Sequence, residues 1–309
     1  MIIHTATLDD SSAISTLCRE RIQRWQRMDA DGQVHDLPYE QLSIYERWLH
    51  GGAWMSVETG AIWLTHLAGG AGLTFVANDD HGTVTGYAEA FIGQESDPYG
   101  YHLHIGRLIA NDDNTHTTLI THLIEQAGGI GRVTVAVSPY DTETLKRYQG
   151  LGFSTLTQIQ QVTVPANGAT AGFYQVTEHP KADAGQIADW QMPIGRTESA
   201  RLHWETHWPR LWHAIPRLSE QRQHRLRFNT GGQDALVFVQ EQLYNPRHAT
   251  VLCWTPKTLS TNLIGAIRDW AYKTGYRSLQ MAVSEKIATT LDTNLEKTPY
   301  QTIILARKV

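Results

Sequence analysis

Two histidines, His102 and His104, stand two residues apart in the β-like run 102–109, so an extended backbone puts both rings on one strand face. Imidazole titrates near pH 6.5 and so takes or gives a proton near neutrality; the bland alternative is a structural or exposed histidine pair. Glu89, on the preceding β-like segment, adds a carboxylate. Residues Thr115, His116, Thr117 and Thr118 open a helical stretch, where free N–H groups and the helix dipole favour a phosphate. His203-Trp-Glu-Thr-His207 spaces two histidines at i,i+4, but its acid is Glu205 rather than residue 204, so it is not the zinc motif HExxH. Trp204, Trp208 and Trp212 make a stripe at helical spacing, broken by Pro209, whose reading is core or interdomain packing, with an aromatic acceptor pocket as the alternative.

Hydrophobic periodicity supplies the elements that must carry these residues. A strand over 2–7 leads through Asp9, Asp10 and Ser11 into a helix with Ile14, Leu17, Cys18, Ile22 and Trp25 on one face. Helical stretches are expected over 39–48 and 53–68, then a hairpin of 73–78 and 84–92 turning at Asp79-Asp-His-Gly82. Strand 102–109, helix 115–126, strand 133–137, helix 141–149 and a strand from Phe153 complete the first half. The strand-helix-strand unit over 102–137 is expected to be right-handed and parallel. The second half repeats the plan, with a helical region through 214, strands at 226–228, 235–240 and 250–255, helix 261–273, strand 278–283, helix 287–295 and strand 302–306. Small and turn-forming residues over 165–172 mark a linker, giving domains 1–165 and 172–309.

The segment Asp141-Thr-Glu-Thr-Leu-Lys-Arg-Tyr148-Gln-Gly-Leu-Gly152-Phe153 resembles the Asn-xx-Ala-xxx-Tyr-xxx-Gly-Phe segment of the GNAT family of acyl-CoA N-acyltransferases. Tyr148, Gly152 and Phe153 match in spacing, while Asp141 and Thr144 stand where that family has Asn and Ala. The family's Arg/Gln-xx-Gly-x-Gly/Ala loop is replaced by residues 115–120 in the first half and 259–264 in the second, and Leu295 and Pro299-Tyr300 fall at the second half's Tyr and Gly-Phe positions. The resemblance implies an α/β (α+β) fold of two tandem GNAT-like domains, each a mixed twisted sheet flanked by helices. It implies direct transfer of an acetyl or other acyl group from acetyl-CoA or another acyl-CoA to a primary amine, on a small molecule or peptide. Tyr148 is then the acid for the leaving thiolate, with a packed tyrosine as the alternative, and His104 or Glu89 helps to remove the amine's proton. Ile109, Ala110, Thr115, His116, Thr117 and Thr118, or Ser260, Thr261 and Asn262 in the second half, would hold the donor. The competing reading is a catalytically inactive ligand-binding or interaction protein on the same scaffold.

Composition bounds these readings. The 309 residues, 41% hydrophobic and 18% charged, suit a globular protein of about two domains and exclude disorder and collagen-like repeats. Up to Gly168 there are 9 Lys and Arg against 19 Asp and Glu, with 17 against 12 after it, so the halves differ in sign. The net charge of −5 argues against a dedicated nucleic-acid partner. Two distant cysteines, no signal peptide and no apolar run of about 18 residues point to a cytoplasmic chain with no disulfide framework and no membrane partner.

Overall fold

A computed structural model describes residues 1–309 except 30, 127, 168–171 and 292–294. Half of the linker expected over 165–172, residues 168–171, therefore lies outside the described residues. The described chain has a mixed α/β fold and divides into two compact units, each drawing on several segments.

The first unit comprises Met1–Phe91, Ile105–Gly128 and Arg210–Glu220. Strand β1 (Ile2–Thr5) leads through a capped 3-10 turn into α1 (Ser11–Arg19). The helix stops there, so Ile22 and Trp25 are not on it as the periodicity suggested. Instead β2 (Gln26–Met28) and β3 (Val34–Asp36) form a small hairpin, whose three-residue strands are too short to show an alternation. The stretch expected as a helix over 39–48 is a 3-10 turn followed by α2 (Ile44–Trp48), because Ser43 forms a capping box with Glu46 and restarts the helix. Likewise 53–68 is a 3-10 turn and then α3 (Val57–His66), with Ser56 accepting from Thr59 N. β4 (Leu73–Asn78) and β5 (Val84–Gln94) are the expected antiparallel hairpin, with Phe75 opposite Ala88, and β1 pairs on the other side of β4. β6 (Tyr101–Ala110) leads to α4 (Asp113–Gln126), and both β5 and β6 have residues in each unit. Ile14, Trp54, Leu64, Val76, Tyr87, Leu119 and Leu123 are buried in this unit's core.

The second unit comprises Ile92–His104, Gly129–Pro209 and Gln221–Val309. It contains β7 (Arg132–Val137), α5 (Thr142–Gly150), β8 (Ser154–Pro165), β9 (Tyr174–Glu178), β10 (Gln191–Ile194), α6 (Ala200–His207), β11 (Gln223–Thr230), β12 (Gln233–Gln242), β13 (Asn245–Thr255), α7 (Thr261–Thr274), β14 (Ser278–Ser284), α8 (Glu285–Leu291) and β15 (Glu296–Lys308). Within it the strands run β7-β15-β8-β14-β13-β12-β11-β9, antiparallel except for the parallel pair β13 and β14. The last strand of the chain is thus laid between β7 and β8, with Ile303 opposite both Val137 and Gln158. In turn β8 pairs with β14, Met281 facing Val162. The two sequence halves are therefore interleaved through their terminal strands. The apolar faces of these strands and of α7 bury Val162, Val237, Val251, Leu263, Ile267 and Met281 in one core.

The region expected to be helical through 214 holds instead the strand β10 and only a short helix, α6. Pro193 and Gly195 explain the interruption, since proline cannot donate a helical hydrogen bond and Gly195 has φ +88°. Trp204 and Trp208 stack at 4.3 Å and meet Trp254 edge-on, in a core with Leu236 and Phe238. Trp212 lies beyond Pro209 in the first unit, 4.3 Å from Trp48. The tryptophan stripe is therefore two packing clusters rather than one face.

Candidate active site

Tyr148 owes its placement to both ends of α5. Asp141 Oδ1 accepts from Thr144 N at 3.0 Å, so aspartate does here the capping that an asparagine would do equally well. At the other end Gly152 N donates to Gln149 O and Phe153 N to Tyr148 O, a closure that needs the left-handed Gly152, φ +84°. The Phe153 ring then meets the Tyr148 ring edge-on at 5.1 Å. The spacing Tyr-xxx-Gly-Phe is thus a helix stop that clamps the tyrosine. Tyr148 is only 3% exposed; burial pushes its phenol pKa well up, Arg147 opposes this, and the Glu198 carboxylate adds to it.

Glu198 is the residue that the spacing arguments missed. It lies in the turn between β10 and α6, where Ser199 caps the helix by accepting from Leu202 N. His203, one turn into α6, accepts at Nε2 from both Thr197 N (3.0 Å) and Glu198 N (3.1 Å), which fixes that turn. The Glu198 side chain reaches His104 Nε2 at 2.7 Å and is still 33% exposed. A carboxylate only accepts, so His104 carries its proton on Nε2, and its Nδ1 faces the Thr134 hydroxyl on β7 at 2.9 Å. Burial, reinforced by the Arg196 cation and opposed by Glu95, lowers the His104 pKa to about 3, so the ring is neutral at pH 7.

A second layer stands behind this group. Arg196 pairs with Glu95 in a fully buried ion pair and lies 3.8 Å over the Tyr99 ring. Glu95 Oε1 also accepts from Ala200 N and lies 3.5 Å from His102 Nε2. The His102 ring occupies the space over Gly93, where a Cβ would stand 2.6 Å from its Cε1. Glu95, Tyr99 and Arg196 also line a cavity of about 270 Å³ with Ile159, Met192 and Lys286.

Of the residues predicted from sequence, His104 meets Glu198 in the second unit, and Tyr148 lies in the same unit within electrostatic reach of that carboxylate. Glu89 falls in the first unit, where its carboxylate accepts from Trp63 Nε1 at 2.7 Å, Tyr87 OH at 3.3 Å and Arg107 Nε at 3.1 Å. Ile109, Ala110 and Thr115 to Thr118 are also in the first unit. There Ala110 O accepts from Arg21 Nη2 at 2.6 Å, and the Asp112 carboxylate binds Thr115 N (2.8 Å) and Thr115 Oγ1 (2.7 Å). His116 N donates to Asp112 O, while Thr117 and Thr118 back-bond to Asp113 O and Asn114 O. An anion at this helix end competes with the chain's own carboxylate. In the second unit Ser260 caps α7 at Leu263 N and its hydroxyl bonds to Gln233, leaving Thr261 and Asn262 exposed. Among the described residues no group of three or more His, Cys, Asp or Glu side chains is arranged to hold a metal ion, and no helix is long and apolar enough to cross a membrane.

The resemblance would place a thioester arm of the second half in the gap between β13 and β14, which pair only from His248–Ser278 to Thr250–Gln280 and then part. An acyl-CoA arm does not fit there, because β10 fills the gap. Gln191 and Ile194 pair with Thr255 and Cys253 of β13, and Gly195 N donates to Ala282 O of β14 at 2.8 Å. A Cβ on Gly195 would lie 2.3 Å from Leu252 Cδ2 and 2.7 Å from Val251 O. With the positive φ, Gly195→Ala is expected to cost about 3 kcal/mol of stability, measured by urea denaturation; a loss below about 1 kcal/mol would mean that the segment is not wedged there.

No family model matches the chain, and no curated protein matches it. Solved structures do. A probable N-acyltransferase from Enterococcus faecalis aligns at 11% identity over 99% of this chain and 72% of that one, with a TM-score of 0.56. A GCN5-related N-acetyltransferase from Anabaena variabilis aligns at 10% identity over 99% and 72%, with a TM-score of 0.54. The GCN5-related glucosamine N-acetyltransferase region of a fungal multi-domain β-N-acetylglucosaminidase aligns at 9% identity over 99% of this chain and 38% of that one, with a TM-score of 0.51. Sequence identity this low speaks for architecture rather than activity, and on that ground the chain has the fold of the GCN5-related N-acetyltransferases.

Proposed function

We propose that the chain is an N-acyltransferase of two tandem GNAT-like halves, with one working site, built on Tyr148 and His104 of the first half and Glu198 of the second, which moves an acyl group from acyl-CoA to a primary amine. The observation that carries this reading is the partly exposed Glu198 carboxylate held at 2.7 Å by a neutral histidine, within electrostatic reach of the buried, protonated Tyr148 phenol. Acyl-CoA would supply the thioester carbonyl. Glu198, within reach of solvent, takes the proton from the incoming ammonium so that the free amine attacks the carbonyl carbon. As the new C–N bond forms and the C–S bond breaks, Tyr148 gives its proton to the departing sulfur, and the second proton shed by the new amide nitrogen restores the phenol. His104 holds Glu198 in place through Nε2–H and does not itself exchange the proton. Glu89 in this reading braces Arg107 and Trp63 and stays out of the chemistry.

Acetyl-CoA at 100 times its Kd is expected to stabilise the protein by about 2.7 kcal/mol, read as a rise in Tm. No shift at millimolar acetyl-CoA would sink the assignment. With binding established, thiol release over an amine panel reports turnover. Tyr148→Phe is expected to slow kcat and leave the KM for acetyl-CoA unchanged; equal kcat in the two proteins would remove the tyrosine from the mechanism.

The inactive-scaffold alternative is favoured in one place, the second half, where β10 occupies the gap between β13 and β14. We assign that half no donor site of its own: it lends Glu198 to the site of the first half, and β15 completes the sheet between β7 and β8.

A further inference from the structure

We infer that Thr134 is a positioning residue: by donating its hydroxyl hydrogen to His104 Nδ1, it holds the imidazole in the tautomer that presents Nε2–H to Glu198. The inference rests on the reading of Glu198 as the base. One hydroxyl hydrogen faces two acceptors, His104 Nδ1 at 2.9 Å and Leu103 O at 3.4 Å. Only the first lies within the ordinary range of an O–H hydrogen bond. Thr134 and His104 are each 1% exposed, so water does not stand in for the missing donor if the hydroxyl is removed.

The other groups around the ring act at longer range. Arg196 and Glu95 act on it electrostatically, and His104 in turn lowers the pKa of His102 on the same strand and of His203 on α6. None of these four hydrogen-bonds the ring, whose partners are Thr134 and Glu198. Among the described residues Thr134 is therefore the one neighbour that distinguishes Nδ1 as an acceptor. A valine has the same shape and no hydroxyl. It leaves a buried lone pair unmatched, which the ring relieves by moving its proton to Nδ1 or by tilting, and in either case Glu198 loses its donor.

The test is nitrogen NMR on histidine-labelled protein together with pH–rate profiles, on wild type, Thr134→Val and Thr134→Ser. Wild type should show His104 Nδ1 unprotonated and Nε2 protonated at pH 7. Thr134→Val should mix the tautomers and move the acid limb of kcat/KM up by about one pH unit, with the KM for acetyl-CoA unchanged. Thr134→Ser should restore both, which a purely packing role for the side chain would not produce. A proton on Nδ1 in wild type overturns the inference, and so does a valine variant with the wild-type nitrogen spectrum. If no protein in the series turns over, the spectra still decide the role of Thr134, while the missing activity counts against the acyltransferase reading alone.

Discussion

Glu198→Gln is expected to lower kcat by about 10²–10⁴-fold, the usual span for removing a general base, with little change in Tm. Glutamine keeps the volume, and its carbonyl oxygen can still accept from His104 Nε2, which lies 2.7 Å from Glu198 Oε2, so the turn before α6 has no reason to move. What disappears is the ability to take a proton from an ammonium. Raising the pH separates this from a binding defect, because an amine that arrives already neutral needs no base. The deficit should therefore shrink as the pH approaches the acceptor's pKa. Turnover of the glutamine variant within about twofold of wild type across the pH range would remove Glu198 from the chemistry and return His104 to consideration.

The second large effect is acid sensitivity of the second unit. Burial holds four histidines there neutral: the pKa falls to about 4 for His102, about 3 for His104, about 4 for His207, and well below its usual value for His203. In the unfolded chain all four titrate near 6.5, so below that pH the unfolded state binds more protons than the native one. The stabilisation is complete above pH 6.5 and is lost as the pH falls, levelling off only when the native rings themselves protonate near 4 and below. Between pH 6.5 and 5.5 each ring should cost about 1 kcal/mol, roughly 4 kcal/mol together, a large part of a typical domain's margin. Urea denaturation at the two pH values measures it. A midpoint that stays constant or rises on acidification would show that these rings are solvated or already charged in the native protein.

Much of the fold was legible in the sequence wherever a signal was local. The hairpin of β4 and β5 and the alternation of strands with α4, α5 and α7 emerged from periodicity and capping residues, because each is decided by neighbours within about five positions, and the Tyr148 segment emerged from its family resemblance. The errors were also local in origin. Ser43 and Ser56 restart helices inside stretches whose apolar spacing reads as continuous, and Pro193 with Gly195 turns a helical-looking region into an edge-on strand. The candidate site was half legible. Tyr148 and His104 were singled out, but Glu198 sits 94 residues from His104 in a turn with no periodicity, so nothing in its surroundings marks it.

By itself, then, the sequence determined most of the strands and helices, that the architecture resembles acyltransferases, and that Tyr148, Gly152 and Phe153 stand at that family's spacing. Only the tertiary structure decided that β15 enters between β7 and β8, that β10 closes the gap between β13 and β14, and that Glu198 meets His104. The physical reason is the range of the interactions. Caps and periodic faces are set by hydrogen bonds and burial a few residues apart. The choice among many apolar strands of similar pattern depends on which arrangement closes every backbone hydrogen bond and fills every core position at once.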